Sequence, residues 1–203
     1  MKNSSPAHVI FGTGVIGIAL MRALQRRGEG VRMVNRSGHL PATADTGGAQ
    51  SNLGDRVFPA ALAGKTAQVL GDPDQPHSYT YTPDIGEALA VLGEHPDAPG
   101  EVWHLPNAEA RTTRQIVETI YTLAGQPRTK LRSTPTLLLR ALGLVNPTVR
   151  ELVEMSYEFE EPFIVDSSKI EGRLGIKATP LERALAETLD SYRAGNQPDS
   201  GSG

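Results

Sequence analysis

The chain has 203 residues, 38% of them hydrophobic and 21% charged, with a formal net charge of -3 and no cysteine. That is enough chain for one domain with a substantial core or two small ones. The charge gives no general attraction to nucleic acid or an anionic membrane. The missing cysteines exclude disulfides, thiolate nucleophiles and cysteine metal sites, and suit a reducing, cytoplasmic setting. The segment before the first apolar run is too short for a signal peptide, and Leu137 to Val145 is broken by Arg140 and too short to span a bilayer.

In chain order, His8-Val-Ile-Phe11 reads as a short strand, followed by Gly12-Thr-Gly-Val-Ile-Gly17 and an amphipathic helix from about Gly14 to Arg27. Val15, Ile16, Ala19, Leu20, Ala23 and Leu24 give that helix its apolar stripe. Arg22, Arg26 and Arg27 suit its C-terminal dipole, and Gly28 suits its end. Val31 to Val34 forms a second strand. This is a Gly-x-Gly-x-x-Gly turn in a strand–turn–helix–strand setting, which points to a dinucleotide site. Gly12 permits the tight turn, Gly14 lets backbone approach a pyrophosphate, and Gly17 allows close packing of helix on strand. The N–H groups of Thr13, Val15 and Ile16 lie in the same turn, where the helix dipole favours phosphate. The ordinary alternative is a glycine-rich turn that binds nothing.

The residues after the second strand bear on the choice of cofactor. NAD sites usually carry Asp or Glu there to hold the ribose 2′-hydroxyl. This chain has Asn35-Arg36-Ser37. An arginine with amide and hydroxyl donors suits a 2′-phosphate, so NADP is the expected cofactor, with NAD as the alternative. The bland reading of Arg36 is a solvated loop residue.

Residues 39–53 are small, polar and without period, and read as a linker. Beyond them the pattern predicts a helix over Arg56 to Ala63, a strand at Gln68 to Leu70, a turn over Gly71 to Pro76 and a strand at Ser78 to Tyr81. Thr82 is expected to cap a helix with Pro83 at its first position, running to about Gly93. Glu101 to Leu105 reads as a strand. Thr112-Thr-Arg-Gln115 is a capping box opening a helix with Ile116, Val117, Ile120 and Leu123 on one face, ending at Gly125. Helices follow at Pro135 to Leu142 and from Asn146-Pro147, with Val149, Leu152 and Val153 inward. Phe163 to Val165 reads as a strand and Ser167 to Leu174 as a helix stopped by Gly175. Thr179-Pro-Leu-Glu182 is a second capping box, opening a helix with Leu185, Leu189 and Tyr192 inside. The tail, 195–203, is expected to be disordered.

Two regions together resemble the extended short-chain dehydrogenase/reductase family, the NAD(P)-dependent epimerase/dehydratase group. One is the N-terminal unit, 7–38. The other, 54–194, carries Tyr79-Thr-Tyr-Thr-Pro-Asp84-Ile, then Glu101-Val-Trp-His-Leu-Pro-Asn107 with Thr112-Thr113, then Val165-Asp-Ser-Ser-Lys169 with Leu174-Gly175. The resemblance implies an α/β fold: a shortened Rossmann-like, doubly wound parallel sheet and a smaller, mostly helical C-terminal substrate region. It also implies a small-molecule substrate, and Tyr79, Tyr81 and Asp84 as candidates to line its pocket. Strand tyrosines and a first-turn carboxylate are the ordinary reading of those three.

The departures are informative. The family's glycine loop is usually Gly-x-x-Gly-x-x-Gly, one residue longer. Its second strand leads into further strand–helix units that this chain lacks, so 39–53 reads as the join of an internal deletion. The missing part carries the family's catalytic Ser/Thr and its Tyr-x-x-x-Lys, whose tyrosine is the general acid/base. Four residues after Tyr79, Tyr81, Tyr121, Tyr157 and Tyr192 stand Pro83, Ile85, Gly125, Glu161 and Asn196, none of them lysine. No catalytic residue is therefore assigned.

Histidines 8, 39, 77, 95 and 104 show no metal-ligand spacing, and Gly-x-Ser-x-Gly is absent. Arg111 and Arg114 flank a helix start, as a contact for an anionic substrate or as ordinary surface arginines. Glu158, Glu160 and Glu161 read as a solvated helix end. Three roles follow: an NADP-binding relative of the family; a non-catalytic module or internally deleted product; and a chain that works beside a full-length relative. Unpaired strand edges and an exposed apolar helix face favour a homo-oligomer.

Overall fold

The computed structural model describes residues 8–35, 54–134 and 160–195. The predicted linker 39–53, the helices predicted from Pro135 and Asn146, Glu158 and the tail beyond Gly195 lie outside them. The fold is mixed α/β and divides into two compact units, neither a single run of chain. One comprises Met1–Ala49, Thr80–Ala108 and Asp166–Thr179, the other Gln50–Tyr79, Glu109–Val165 and Pro180–Gly203.

In the first unit, β1 (His8–Phe11) and β2 (Val31–Val34) form a parallel pair, in register from His8 opposite Val31 to Phe11 opposite Val34. The intervening helix α1 (Val15–Arg26) covers one face of the pair. Ile10, Ala23 and Leu24 form a core there with Ala90, flanked by Leu20, Met21, Val31 and Met33. The stripe differs from expectation at one position: Ile16 is exposed and Ile18 is buried instead. Helix α3 (Thr82–Glu94) packs on α1. A Cβ at Gly86 would press on the Ala19 carbonyl, so only glycine allows this approach. Glu87 bridges Arg26 and Arg27 along the same seam, and Arg27 also reaches Glu94 at 3.4 Å.

Helix α3 starts one residue earlier than the sequence suggests. Tyr81 is its N-cap and Thr82 its first, buried residue. Pro83 has no N–H to leave unsatisfied, so the turn closes through Ile85 N–H on the Tyr81 carbonyl at 3.2 Å without a side-chain cap. The strand expected at Glu101 to Leu105 does not form. A strand needs a ladder partner, and these residues are tied down by side chains instead. Lys169 donates to the Val102 carbonyl at 2.7 Å, Trp103 donates to the Ala98 carbonyl at 3.1 Å, and the His104 ring meets the Asp166 carbonyl at 2.9 Å. The unit closes with a further helix, Ser168–Leu174, which ends as expected on a left-handed Gly175.

In the second unit, α2 (Gly54–Leu62) is followed by β3 (Ala67–Leu70). β3 pairs in parallel with β6 (Leu131–Thr134), a strand with a single apolar residue and no alternation to announce it. The strand expected at Ser78 to Tyr81 lies earlier: β4 is Pro76–His77, antiparallel to β5 (Arg111–Thr112). The expected strand at Phe163 to Val165 is reduced to one bridge from Phe163 to His77. Helix α4 (Thr113–Leu123) opens on the predicted capping box, with the Thr112 hydroxyl accepting from Gln115 N–H and the Gln115 side chain from Thr112 N–H. Ile116, Val117, Ile120 and Tyr121 of α4 are buried with Val57, Phe58, Ala61, Ala67, Val69, Leu185 and Leu189.

Among the described residues, α5 is Ser168–Leu174 and α6 is Leu181–Gly195. The box expected at Thr179 is not what opens α6. Its first turn closes through Ala184 N–H on the Pro180 carbonyl, and Thr179 turns its N–H and hydroxyl to Asp84. Tyr192 of α6 stacks on Phe58, ring centroids 5.3 Å apart.

Candidate functional site

The glycine turn lies at the C-terminal end of β1. Gly12 has φ +120°, a conformation that side chains resist, and its N–H continues the ladder to the Val34 carbonyl at 2.8 Å. Gly14 is the N-cap of α1 at φ -76° and ψ 178°, extended backbone open to any residue. No side chain caps the helix there, and α1 carries no acidic residue in its first turn. Nothing lies within 4 Å of where a Gly14 Cβ would stand. At Gly17 a Cβ would stand 2.5 Å from the Gly12 carbonyl oxygen and 3.5 Å from Ile10 Cγ2, so helix and turn touch through backbone alone.

The candidate residues Gly12, Thr13, Gly14, Val15, Ile16 and Gly17 thus form one continuous turn. Val15 opens α1 and Ile16 is exposed beside it. Asn35, just past β2, reaches the turn: its amide donates to the Thr13 hydroxyl at 2.8 Å across 22 residues. Sequence spacing gives no sign of that bond. Arg36 and Ser37 lie outside the described residues. An uncapped helix start without a competing carboxylate, open at Gly14, fits a pyrophosphate.

The other candidates have partners within their own units. In the first unit, Asp84 is buried and accepts from Thr179 N–H at 2.8 Å and from its hydroxyl at 2.7 Å. In the second, Tyr79 shares a 2.9 Å hydrogen bond with Thr113. Burial raises its pKa, outweighing Thr113, so the phenol holds its proton and is poorly suited to serve as a base. Arg114 is clamped by both oxygens of Asp74, at 2.6 and 2.8 Å, and Arg111 pairs with Glu109 at 2.8 Å. Both arginines, considered above for an anionic substrate, meet carboxylates of this chain. The Arg114 hydrogen bond also holds the Asp74 carboxyl below its ordinary range. Tyr121 accepts from Ala67 N–H at 3.0 Å and donates to the Lys65 carbonyl, tying α4 to the start of β3.

No family model matches the chain, and a search of curated proteins finds no match. Solved structures do match. A UDP-glucose 4-epimerase from Thermotoga maritima aligns at TM-score 0.51 and 17% identity, over 70% of this chain and 39% of its own. The chain shares their α/β fold. A dTDP-glucose 4,6-dehydratase from Bacillus anthracis, solved with NAD, aligns at 0.51 and 15%, over 88% of this chain and 49% of its own. A partial-consensus L-threonine 3-dehydrogenase aligns at 0.51 and 19%, over 88% and 54%. The chain therefore spans about two fifths to one half of the proteins it resembles.

Proposed function

We propose that this chain is a nicotinamide dinucleotide-binding relative of the epimerase/dehydratase enzymes, holding the cofactor at Gly12 to Gly17 within a binding unit over 7–38. The observation that carries the reading is the parallel β1–α1–β2 unit, whose turn is open at Gly14 and whose helix start has no acidic residue. A neighbour with this fold was solved with NAD. Backbone N–H groups at the start of α1 would hold the pyrophosphate, and the bound nicotinamide would supply hydride chemistry. Asn35, Arg36 and Ser37 bring no carboxylate to the ribose end, which favours NADP over NAD.

The chain is catalytically incomplete on this reading. It has no Tyr-x-x-x-Lys, and Tyr79, half-buried and with its pKa raised by desolvation, is poorly suited to replace the base. A small-molecule substrate is proposed from the epimerase and dehydratase neighbours. A second reading, a non-catalytic module or deleted product completed by a partner or a second copy, is favoured by one observation. The outer face of β1 is apolar and uncovered, with Val9 49% and Phe11 83% exposed.

Calorimetric titration of the chain with NADPH, and with NADH in parallel, tests the first reading. Saturable binding near one per chain, tighter for NADPH and lost in Gly14→Asp, is expected. A folded chain that binds neither overturns it, and a sharp, cooperative melt of a monomer counts against the deleted-product form of the second reading.

A further inference from the structure

The bond between Asn35 and Thr13 gives the end of β2 a role different from the one its position suggests. Asn35 stands where dinucleotide sites usually discriminate between cofactors. Its amide Nδ2–H is directed not outward but onto Thr13 Oγ1, at 2.8 Å, in a partly buried setting. A hydroxyl that accepts through a lone pair keeps its own proton to donate, and accepting strengthens that donation. Thr13 lies between Gly12, held to Val34 through its N–H, and Gly14, where the turn is open.

We infer that Thr13 donates its hydroxyl proton to a phosphate oxygen of the bound dinucleotide, and that Asn35 is a positioning residue acting through Thr13. The inference rests on the dinucleotide reading. It assigns Asn35 to affinity for NADPH and NADH alike, and leaves the choice between them to Arg36 and Ser37. No covalent step is involved: one hydrogen bond is preset before the ligand arrives.

The test is a set of titrations of the full chain with NADPH and NADH, with melts as a control for folding. Thr13→Val keeps the shape and removes the hydroxyl, and should weaken both cofactors by roughly tenfold, the scale of a hydrogen bond to a charged group. Thr13→Ser should restore binding. Asn35→Ala should weaken both cofactors by a similar factor, about two- to tenfold, and add little to Thr13→Val in the double variant. Arg36→Ala should change the NADPH-to-NADH ratio. Wild-type binding in Thr13→Val, or a ratio that moves in Asn35→Ala, overturns the inference while the dinucleotide reading stands. A wild-type chain that binds neither cofactor overturns both.

Discussion

Gly17 and Gly14 lie three residues apart in one turn, and the structure gives them opposite sensitivities. A Cβ at Gly17 would stand 2.5 Å from the Gly12 carbonyl oxygen and 3.3 Å from its carbon. Relief requires a shift of ~0.9 Å to restore an ordinary contact, against a turn anchored by Gly12 N–H on Val34 and a strand whose Ile10 is in the core. Overpacking of this kind costs about 1–3 kcal/mol, and replacing a helical glycine returns at most about 1 kcal/mol, so Gly17→Ala should lose roughly 1–2 kcal/mol. At Gly14 the added methyl meets no atom within 4 Å and the backbone is in an ordinary extended conformation. Gly14→Ala should therefore keep its stability to within about 0.5 kcal/mol. The same methyl would occupy the space a pyrophosphate needs, and NADPH should bind at least about tenfold more weakly. Urea unfolding and NADPH titration of both variants separate the two effects. A Gly17→Ala protein as stable as wild type would refute the packing argument. A Gly14→Ala protein that binds NADPH as wild type would refute the ligand argument.

The seam between α1 and α3 supports a parallel experiment. Gly86→Ala places a Cβ on the Ala19 carbonyl, 2.5 Å from its carbon and 3.0 Å from Leu20 N, and should cost about 1–2 kcal/mol in urea unfolding. Gly93→Ala, in the same helix with nothing within 4 Å, should be neutral or gain up to about 1 kcal/mol; equal losses would dismiss close packing as the reason for Gly86. Tyr121→Phe removes the donor to the Lys65 carbonyl and one of the two acceptors of Ala67 N–H, which keeps the Lys130 carbonyl at 2.8 Å, for a loss of about 0.5–1.5 kcal/mol in the same assay. Burial pushes the Glu87 carboxyl up, but Arg26 and Arg27 outweigh it and its pKa falls below the ordinary value. Its contribution to stability is therefore whole above the unfolded pKa, near ~4.3, and lost as pH falls through the lower folded value. Urea midpoints measured downward from about pH 6 should drop more steeply in wild type than in Glu87→Gln; coincident curves would show that the ion pairs contribute nothing.

What the chain alone determined is what depends on near neighbours. The extent of α1 with Gly28 after it, the Thr112 capping box and the Gly175 stop all act over a few residues and stand where periodicity and capping chemistry place them, while the α1 stripe does so except that Ile18 replaces Ile16. The Gly12 to Gly17 turn was legible for the same reason, since its backbone conformation is a local demand. Tertiary structure decided the rest, because strands and buried polar groups are satisfied only by distant partners. Glu101 to Leu105 has the pattern of a strand but no ladder to join, whereas Leu131 to Thr134 lacks the pattern and becomes one because β3 offers an edge. Thr179 was free by sequence to open a helix, yet its N–H and hydroxyl go to Asp84, 95 residues away, where a buried carboxylate requires donors. The turn was readable from six consecutive residues; the bond that joins it to Asn35 became visible only when the parallel pairing of β1 and β2 brought two separated residues together.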